Sequence, residues 1–164
     1  MINENRTIII RDAELHWAKL VTPVDPFKTG EYVWELQLRT RDKDTAKAWK
    51  TDYYLTVKEE KDDDGEYWKA NVKRKLLKKN GDENEAPAVL DGKKQAIDAS
   101  SIGNGSIGNV MLFQYPYDVA GRKGVSSILS KVQVTDLKVY TQDTSTDFDV
   151  IESTTDTGED KVDF

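Results

Sequence analysis

The stretch Glu66-Tyr67-Trp68-Lys69-Ala70-Asn71-Val72-Lys73-Arg74-Lys75-Leu76-Leu77 alternates with a period of two. Its even positions Trp68, Ala70, Val72 and Leu76 make an apolar face interrupted by Arg74. Its odd positions Tyr67, Lys69, Asn71, Lys73 and Lys75 make a wet face of one aromatic and three lysines. Successive strand side chains point to opposite sides, so the pattern predicts a half-buried strand with one face for a core and one for solvent or a ligand. Lys61-Asp62-Asp63-Asp64-Gly65 ahead of it reads as a hairpin turn. Tyr53 to Glu59 reads as the partner strand, with Tyr53, Leu55 and Val57 toward the core and Tyr54, Thr56 and Lys58 on the wet side.

The same period recurs on both sides of this hairpin. Tyr32, Trp34, Leu36 and Leu38 alternate with Val33, Glu35, Gln37 and Arg39, a second half-buried strand. Residues 7–20, with Ile8, Ile9, Ile10 and Trp17, are rich in strand formers, and Thr22-Pro23 through Thr29-Gly30 is a Pro/Gly loop. Asp42 to Lys50 suits a short helix, with acids in the first turn and lysines later. Beyond the hairpin come a polar loop at 78–87, an ambiguous stretch from Val89 to Ile97, and a glycine-rich segment from Ser100 to Gly108 that is expected to be flexible. Two last strands at 109–117 and 126–140 flank a turn from Asp118 to Gly124. Roughly five to seven strands with one early helix predict an all-β fold, and an OB-fold-like Greek-key barrel is the expected architecture.

Charge divides the chain more sharply than hydropathy does. The 164 residues carry a net −6. Residues 141–164 hold eight acidic side chains against Lys161, and removing that segment's −7 leaves residues 1–140 at +1. The expected organisation is therefore a folded body over 1–140 and a disordered acidic tail over 141–164 that ends in Phe164. No run approaches a membrane span, the N-terminus lacks the pattern of a secretory signal, and there is no cysteine. These features fit a cytoplasmic protein.

Chemistry concentrates on the wet face of 66–77. Six basic residues and no acid lie between Lys69 and Lys79. A second aromatic face follows at Met111, Phe113, Tyr115 and Tyr117, opposite Val110 and Leu112. Bases stacked on aromatics beside a lysine-lined groove hold single strands with little sequence preference. The candidate binding residues are Tyr54, Lys58, Tyr67, Lys69, Lys73, Lys75, Met111, Phe113 and Tyr115. The competing reading closes a second small core with Phe113 and Tyr115 and leaves the lysines as solubilising charge.

Catalytic and metal readings are weaker. Asp62-Asp63-Asp64 could hold a divalent cation but reads better as a charged hairpin tip. His16 is the single histidine, so a Ser-His-Asp or Cys-His arrangement has one candidate base, placed on a strand. Ile102 to Gly108 lacks the Lys-Ser/Thr ending of a phosphate-cradling loop. No cofactor, metal or catalytic residue is expected.

These residues, in this order, resemble the single-stranded DNA-binding proteins of bacteriophages, of the OB-fold type found in short-tailed phages and their relatives. The likeness runs from Leu15-His16-Trp17-Ala18-Lys19-Leu20 and Thr22-Pro23 through Tyr32 to Leu38 and Asp42-Lys43-Asp44-Thr45. It continues through Gly105-Ser106, Val110 to Tyr115-Pro116-Tyr117-Asp118, Lys123-Gly124-Val125-Ser126 and Leu129 to Leu137, and closes on Asp160-Lys161-Val162-Asp163-Phe164. It implies a protein of phage DNA replication, recombination and repair, working in the host cytoplasm, that coats and protects single strands. It implies further that Glu159, Asp160, Asp163 and Phe164 contact partners such as DNA polymerase and helicase. Where this chain has Met111 and Phe113, similar proteins often carry basic residues. Stacking, core packing and a homodimer contact are all open to that strand. The rival from another class is a structural or protein-interaction β domain without a nucleic-acid role, favoured by a body that is barely basic.

Overall fold

The computed structural model describes residues 2–140. Their first element is one long strand, β1 (Arg6–Val24). Its core-facing residues are Ile8, Ile10, Ala13, Leu15 and Leu20, so the inward parity switches from even to odd and back again. Each switch falls at a residue with positive φ, Asp12 (54°) and then Trp17 (51°). At both points the register with a neighbouring strand slips. These are bulges, which bend a strand and re-aim its side chains. An asparagine satisfies each displaced amide. Asp12 N donates to Asn109 Oδ1 at 3.0 Å and Trp17 N donates to Asn104 Oδ1 at 2.8 Å.

The bent strand pairs with two partners. Its first half is antiparallel to β6 (Ser106–Val119), and its second half to β2 (Val33–Thr40). The hairpin of β3 (Lys58–Asp62) and β4 (Gly65–Lys75) joins β2, while β7 (Arg122–Asp136) joins β6 and β5 (Ala88–Asp91) runs parallel to β7. The order is β3-β4-β2-β1-β6-β7-β5 in one seven-stranded sheet. β4 and β7 both run in the direction of β1, and the curl of the sheet brings them into contact without joining them in the ladder. The result is an OB-fold-like barrel with one open seam. Leu36, Leu38, Val72, Val110, Leu112, Leu129 and Val132 fill its interior.

The helix α1 (Lys43–Thr51) starts where the sequence places it. Asp42 caps it by accepting from Thr45 N at 3.2 Å and from Thr45 Oγ1 at 2.6 Å. Ala46 and Trp49 are its buried residues. Trp34, Leu36 and Leu38 face inward as expected, but Tyr32 is exposed and Val33 buried, because β2 begins one residue later than the alternation suggests.

Two other expectations are corrected. Tyr53 to Val57 is not strand; after α1 the chain turns so that Leu55 N donates to Trp49 O at 3.0 Å, and Leu55 alone of that stretch is buried. An alternation of large and small residues fits such a tucked loop as well as it fits a strand. The glycine-rich segment is packed rather than free. Gly103 N donates to Lys138 O at 2.6 Å, and the fully buried Ser106 donates its hydroxyl to Gly103 O at 2.8 Å. A Cβ on Gly108 would lie 2.6 Å from Gln133 O, so this glycine permits close approach of two backbones. The last hairpin turns in two residues, Ala120 and Gly121, both with positive φ as tight β-hairpins require. The expected boundary at residue 140 and the tail itself lie outside the described residues.

Gly108→Ala should therefore cost about 1–3 kcal/mol in urea denaturation, because the added methyl meets backbone. Gly92→Ala, where nothing lies within 4 Å of the new atom, should stay within about 0.5 kcal/mol of the parent.

Candidate functional site

The seam between β4 and β7 opens into a cleft of about 610 Å³. Lys73 and Asn71 of β4 form one wall, and Tyr117, Val125 and Ser126 of the β6–β7 hairpin form the other. The loop after β1 contributes Pro26 and Phe27, and the segment after α1 contributes Tyr54 and Thr56. Phe27 is 78% exposed and Tyr117 42%, a large apolar surface for loop residues to leave in water. OB-type barrels bind oligonucleotides at this place, across the second and third barrel strands and between the loops that follow the first and fourth.

Two aromatic groups are held in the cleft by the fold beneath them. Tyr54 sits at φ 55°. The segment carrying it is tied down by Gln114, which is fully buried yet fully engaged. Gln114 Nε2 donates to Tyr53 O at 2.6 Å and to Ser127 Oγ at 2.9 Å, while its Oε1 accepts from Arg6 Nε at 2.9 Å. Arg6 also donates to Asp52 O at 2.8 Å and lies 5.9 Å from the centre of the Tyr54 ring. A buried amide with its partners satisfied is a rigid anchor, because each group would cost free energy if left unpaired. Tyr117 lies over Gly124, its partner across the hairpin, and fills the space where a side chain would otherwise stand.

The candidate residues read from the sequence fall into three groups. Tyr54 and Lys73 meet in the cleft. Tyr67, Lys69 and Lys58 share the outer face of β3–β4. There Lys69 pairs with Glu60 at 3.1 Å, and the Tyr67 ring has Arg39 at 4.5 Å and Arg41 at 5.4 Å from its centre. Arg41 bonds Asp62 at 2.6 Å, which holds that carboxyl below its usual range, and Asp64 N also donates to Asp62. The carboxylate at the hairpin tip is thus already committed. Lys75 stands apart against Glu31 at 2.9 Å, and this contact lowers the Glu31 pKa. Among the described residues Lys73 and Lys58 make no salt bridge.

Met111, Phe113 and Tyr115 form the third group, on the outer face of β6, and none of them lines the cleft, although Tyr115 lies opposite the cleft residue Ser126. They are half-buried. Phe113 lies opposite Thr7 and Ile128, and Met111 opposite Ile9 and Lys131. Phe113 and Tyr115 have ring centres 6.3 Å apart. Sequence alternation found this face but not its distance from the lysines. It missed Phe27 and Val125, and it left Tyr117 outside the candidate site. The available signal for Phe27 was an aromatic with no strand to pack into, inside a Pro/Gly loop. Glu159, Asp160, Asp163 and Phe164 lie outside the described residues. No group of three His, Cys, Asp or Glu side chains among the described residues is arranged to hold a metal, and no described helix is long and apolar enough to cross a membrane.

No family model matches the chain, and no curated protein does either. Solved structures with a similar fold include the single-stranded DNA-binding protein from bacteriophage Enc34 in complex with ssDNA, at TM-score 0.58 and 16% identity over 80% of this chain and 87% of that one. The same phage protein with a C-terminal truncation gives 0.57 at 16% identity, covering 80% and 86%. Gp2.5, a single-stranded DNA-binding protein encoded by bacteriophage T7, gives 0.51 at 18% identity, covering 92% and 100%. At these identities the likeness is one of fold.

His16 supplies a pH test of the outer face of β1. Burial lowers its pKa from 6.5, with Arg39 and Arg41 adding to the shift and the 2.8 Å contact to Glu14 opposing it. The folded protein then holds the proton less tightly than the unfolded chain, so protonation favours unfolding. The penalty is absent above the ordinary imidazole value, grows as pH falls through it, and levels off below the folded-state value. Denaturant midpoints should fall as the pH drops through the ordinary imidazole value of 6.5, and His16→Gln should flatten that decline.

Proposed function

We propose that this protein binds single-stranded DNA without acting on it chemically, and that the strand lies in the seam cleft. The observation that carries the proposal is the grouping of Phe27, Tyr54 and Tyr117 around Lys73 at the place where OB-type barrels take oligonucleotides. The aromatics offer stacking surface for bases of any identity, and the lysine offers charge to the backbone. The solved structures of similar fold support the reading, since one of them is a complex with ssDNA.

Residues 1–140 serve as the binding body in this account and 141–164 as an acidic competitor. A segment of net −7 can occupy basic surface when DNA is absent, yield to an incoming polyanion, and then offer Phe164 to a partner. Replication proteins such as a polymerase or helicase are the partners proposed, and a host cytoplasm the setting. The face of Met111 and Phe113, beside Ile9 and Ile128, lies outside the cleft and is assigned here to a protein contact such as a second copy of the chain, although Met111 also lines a smaller pocket of about 330 Å³ with Lys94 and Lys131.

Binding should be tighter to oligo(dT) than to a duplex of equal length in a filter or anisotropy titration. Phe27→Ala and Tyr54→Ala should each weaken oligo(dT) binding by about 1–3 kcal/mol, and Phe27→Ala should leave the melting temperature unchanged. Lys73→Ala should flatten the dependence of log K on log salt by about 0.7, the single-strand value for one phosphate. Lys69→Ala, which removes a cation already paired, should flatten it less. Equal affinity for duplex and single strand would contradict the proposal.

Ending the chain after Tyr140 changes the net charge from −6 to +1. Single-strand affinity should then rise, most strongly at low salt where charge competition is least screened. Unchanged or lower affinity would remove the competitor role.

A further inference from the structure

Trp17 is the anomaly that the cleft does not explain. The fold needs a bulge at this point to return Leu20 to the core, and glycine or asparagine would take the required φ of 51° with least strain. The chain instead places its largest side chain there and leaves it 55% exposed. Asn104 fixes the bulge through the 2.8 Å bond to the Trp17 amide, so the indole is presented by rigid backbone. An indole that does not fill the core, on backbone that resists it, serves something outside the barrel.

A groove of about 740 Å³ opens beside the ring. Its charged residues are Lys19 and Lys138, with no carboxylate among the described residues that line it, and Tyr140 stands at its edge 61% exposed. Lys19 and Lys138 make no salt bridge among the described residues, and Glu35, the cross-strand neighbour of Lys19, does not line the groove. Aromatic surface beside such cations is the chemistry of single-strand contacts. The groove also lies in line with the cleft. Lys73 is opposite Glu35 across β4–β2, and Glu35 is opposite Lys19 across β2–β1. Neighbouring strands are about 4.8 Å apart, so Lys73 and Lys19 are backbone neighbours at roughly 10 Å. A polynucleotide crossing the strands from the cleft meets this groove next.

We infer that the Trp17 groove is a second contact for single-stranded DNA, with a base stacked on the indole and the flanking phosphates held by Lys19 and Lys138. The inference rests on the proposed function and extends the strand's path beyond the cleft. It makes the binding site longer than the cleft alone, so short and long oligonucleotides separate the two.

The test uses the full chain with labelled oligo(dT) of about 5 and about 16 nucleotides, the span of site sizes known for such barrels. Trp17→Ala should weaken the long oligonucleotide about tenfold and leave the short one bound as by the parent. Trp17→Phe should restore most of the loss. Trp34 and Trp49 are buried and Trp68 half-buried, so the long oligonucleotide should quench intrinsic fluorescence in the parent and much less in Trp17→Phe. Long-oligonucleotide affinity within about twofold of the parent in Trp17→Ala, with short-oligonucleotide binding normal, would overturn the groove alone. Higher affinity in Trp17→Ala would overturn it in favour of a groove that holds the chain's own acidic segment beyond Tyr140. Failure of the parent to bind either oligonucleotide would overturn the proposed function and this site together.

Discussion

Residues Arg6–Val24 serve two partners at once, β6 along the first half and β2 along the second. A straight ribbon could not do this and keep its apolar residues on the inside of a closed surface. The two bulges at Asp12 and Trp17 solve both problems together, since each bends the strand and resets which parity faces inward. Their amides fall out of the ladder and must be paired elsewhere, and Asn109 and Asn104 meet that demand. From the bend come the curl of the sheet, the meeting of β4 and β7, and the seam that never zips. The site is a by-product of how the barrel closes.

The seam matters because it combines rigid support with irregular edges. Lys73 projects from a strand whose other face is core, while Phe27, Tyr54 and Tyr117 come from a loop, a tucked segment and a hairpin arm. Only a fixed framework could hold such unrelated pieces around one space, and Gln114 supplies part of it by tying Arg6, Tyr53 and Ser127 to β6. Burying an amide beneath the site is costly unless its polar atoms are paired, and here both N–H groups donate and the carbonyl oxygen accepts. The lysines differ in kind for the same structural reasons. Lys69 and Lys75 make salt bridges to Glu60 and Glu31, whereas Lys73 lines the cleft beside its cross-strand neighbour Glu35 without making one.

The sequence carried the fold wherever a single face was buried. Leu36, Leu38, Ala70 and Val72 were legible as core because alternation there has one cause, and the helix was legible from acids at its start and lysines after them, although Asp42 proved to be its cap rather than part of its first turn. It misled where two structures share a pattern, as in Tyr53 to Val57, where a tucked loop buries Leu55 much as a strand would. It misled again at Gly103 and Gly108, whose glycines signal crowding as readily as freedom. The site was half legible. Lysine and aromatic spacing marked β4 and β6, but position around a curled sheet is not local information, and it places Lys73 in the cleft while Phe113 stays outside it. Phe27 and Trp17 were not read as site residues because no periodic pattern marks a loop tip or a bulge.

The central claim is that single-stranded DNA lies in the seam between β4 and β7. Amide chemical-shift mapping of the isotopically labelled protein during titration with oligo(dT) tests it most directly. The account predicts that the largest perturbations cluster at Phe27, Tyr54, Asn71, Lys73, Tyr117 and Val125, with Thr7, Met111, Phe113 and Ile128 nearly unmoved. Perturbations centred on the outer face of β6, with the seam residues silent, would contradict it.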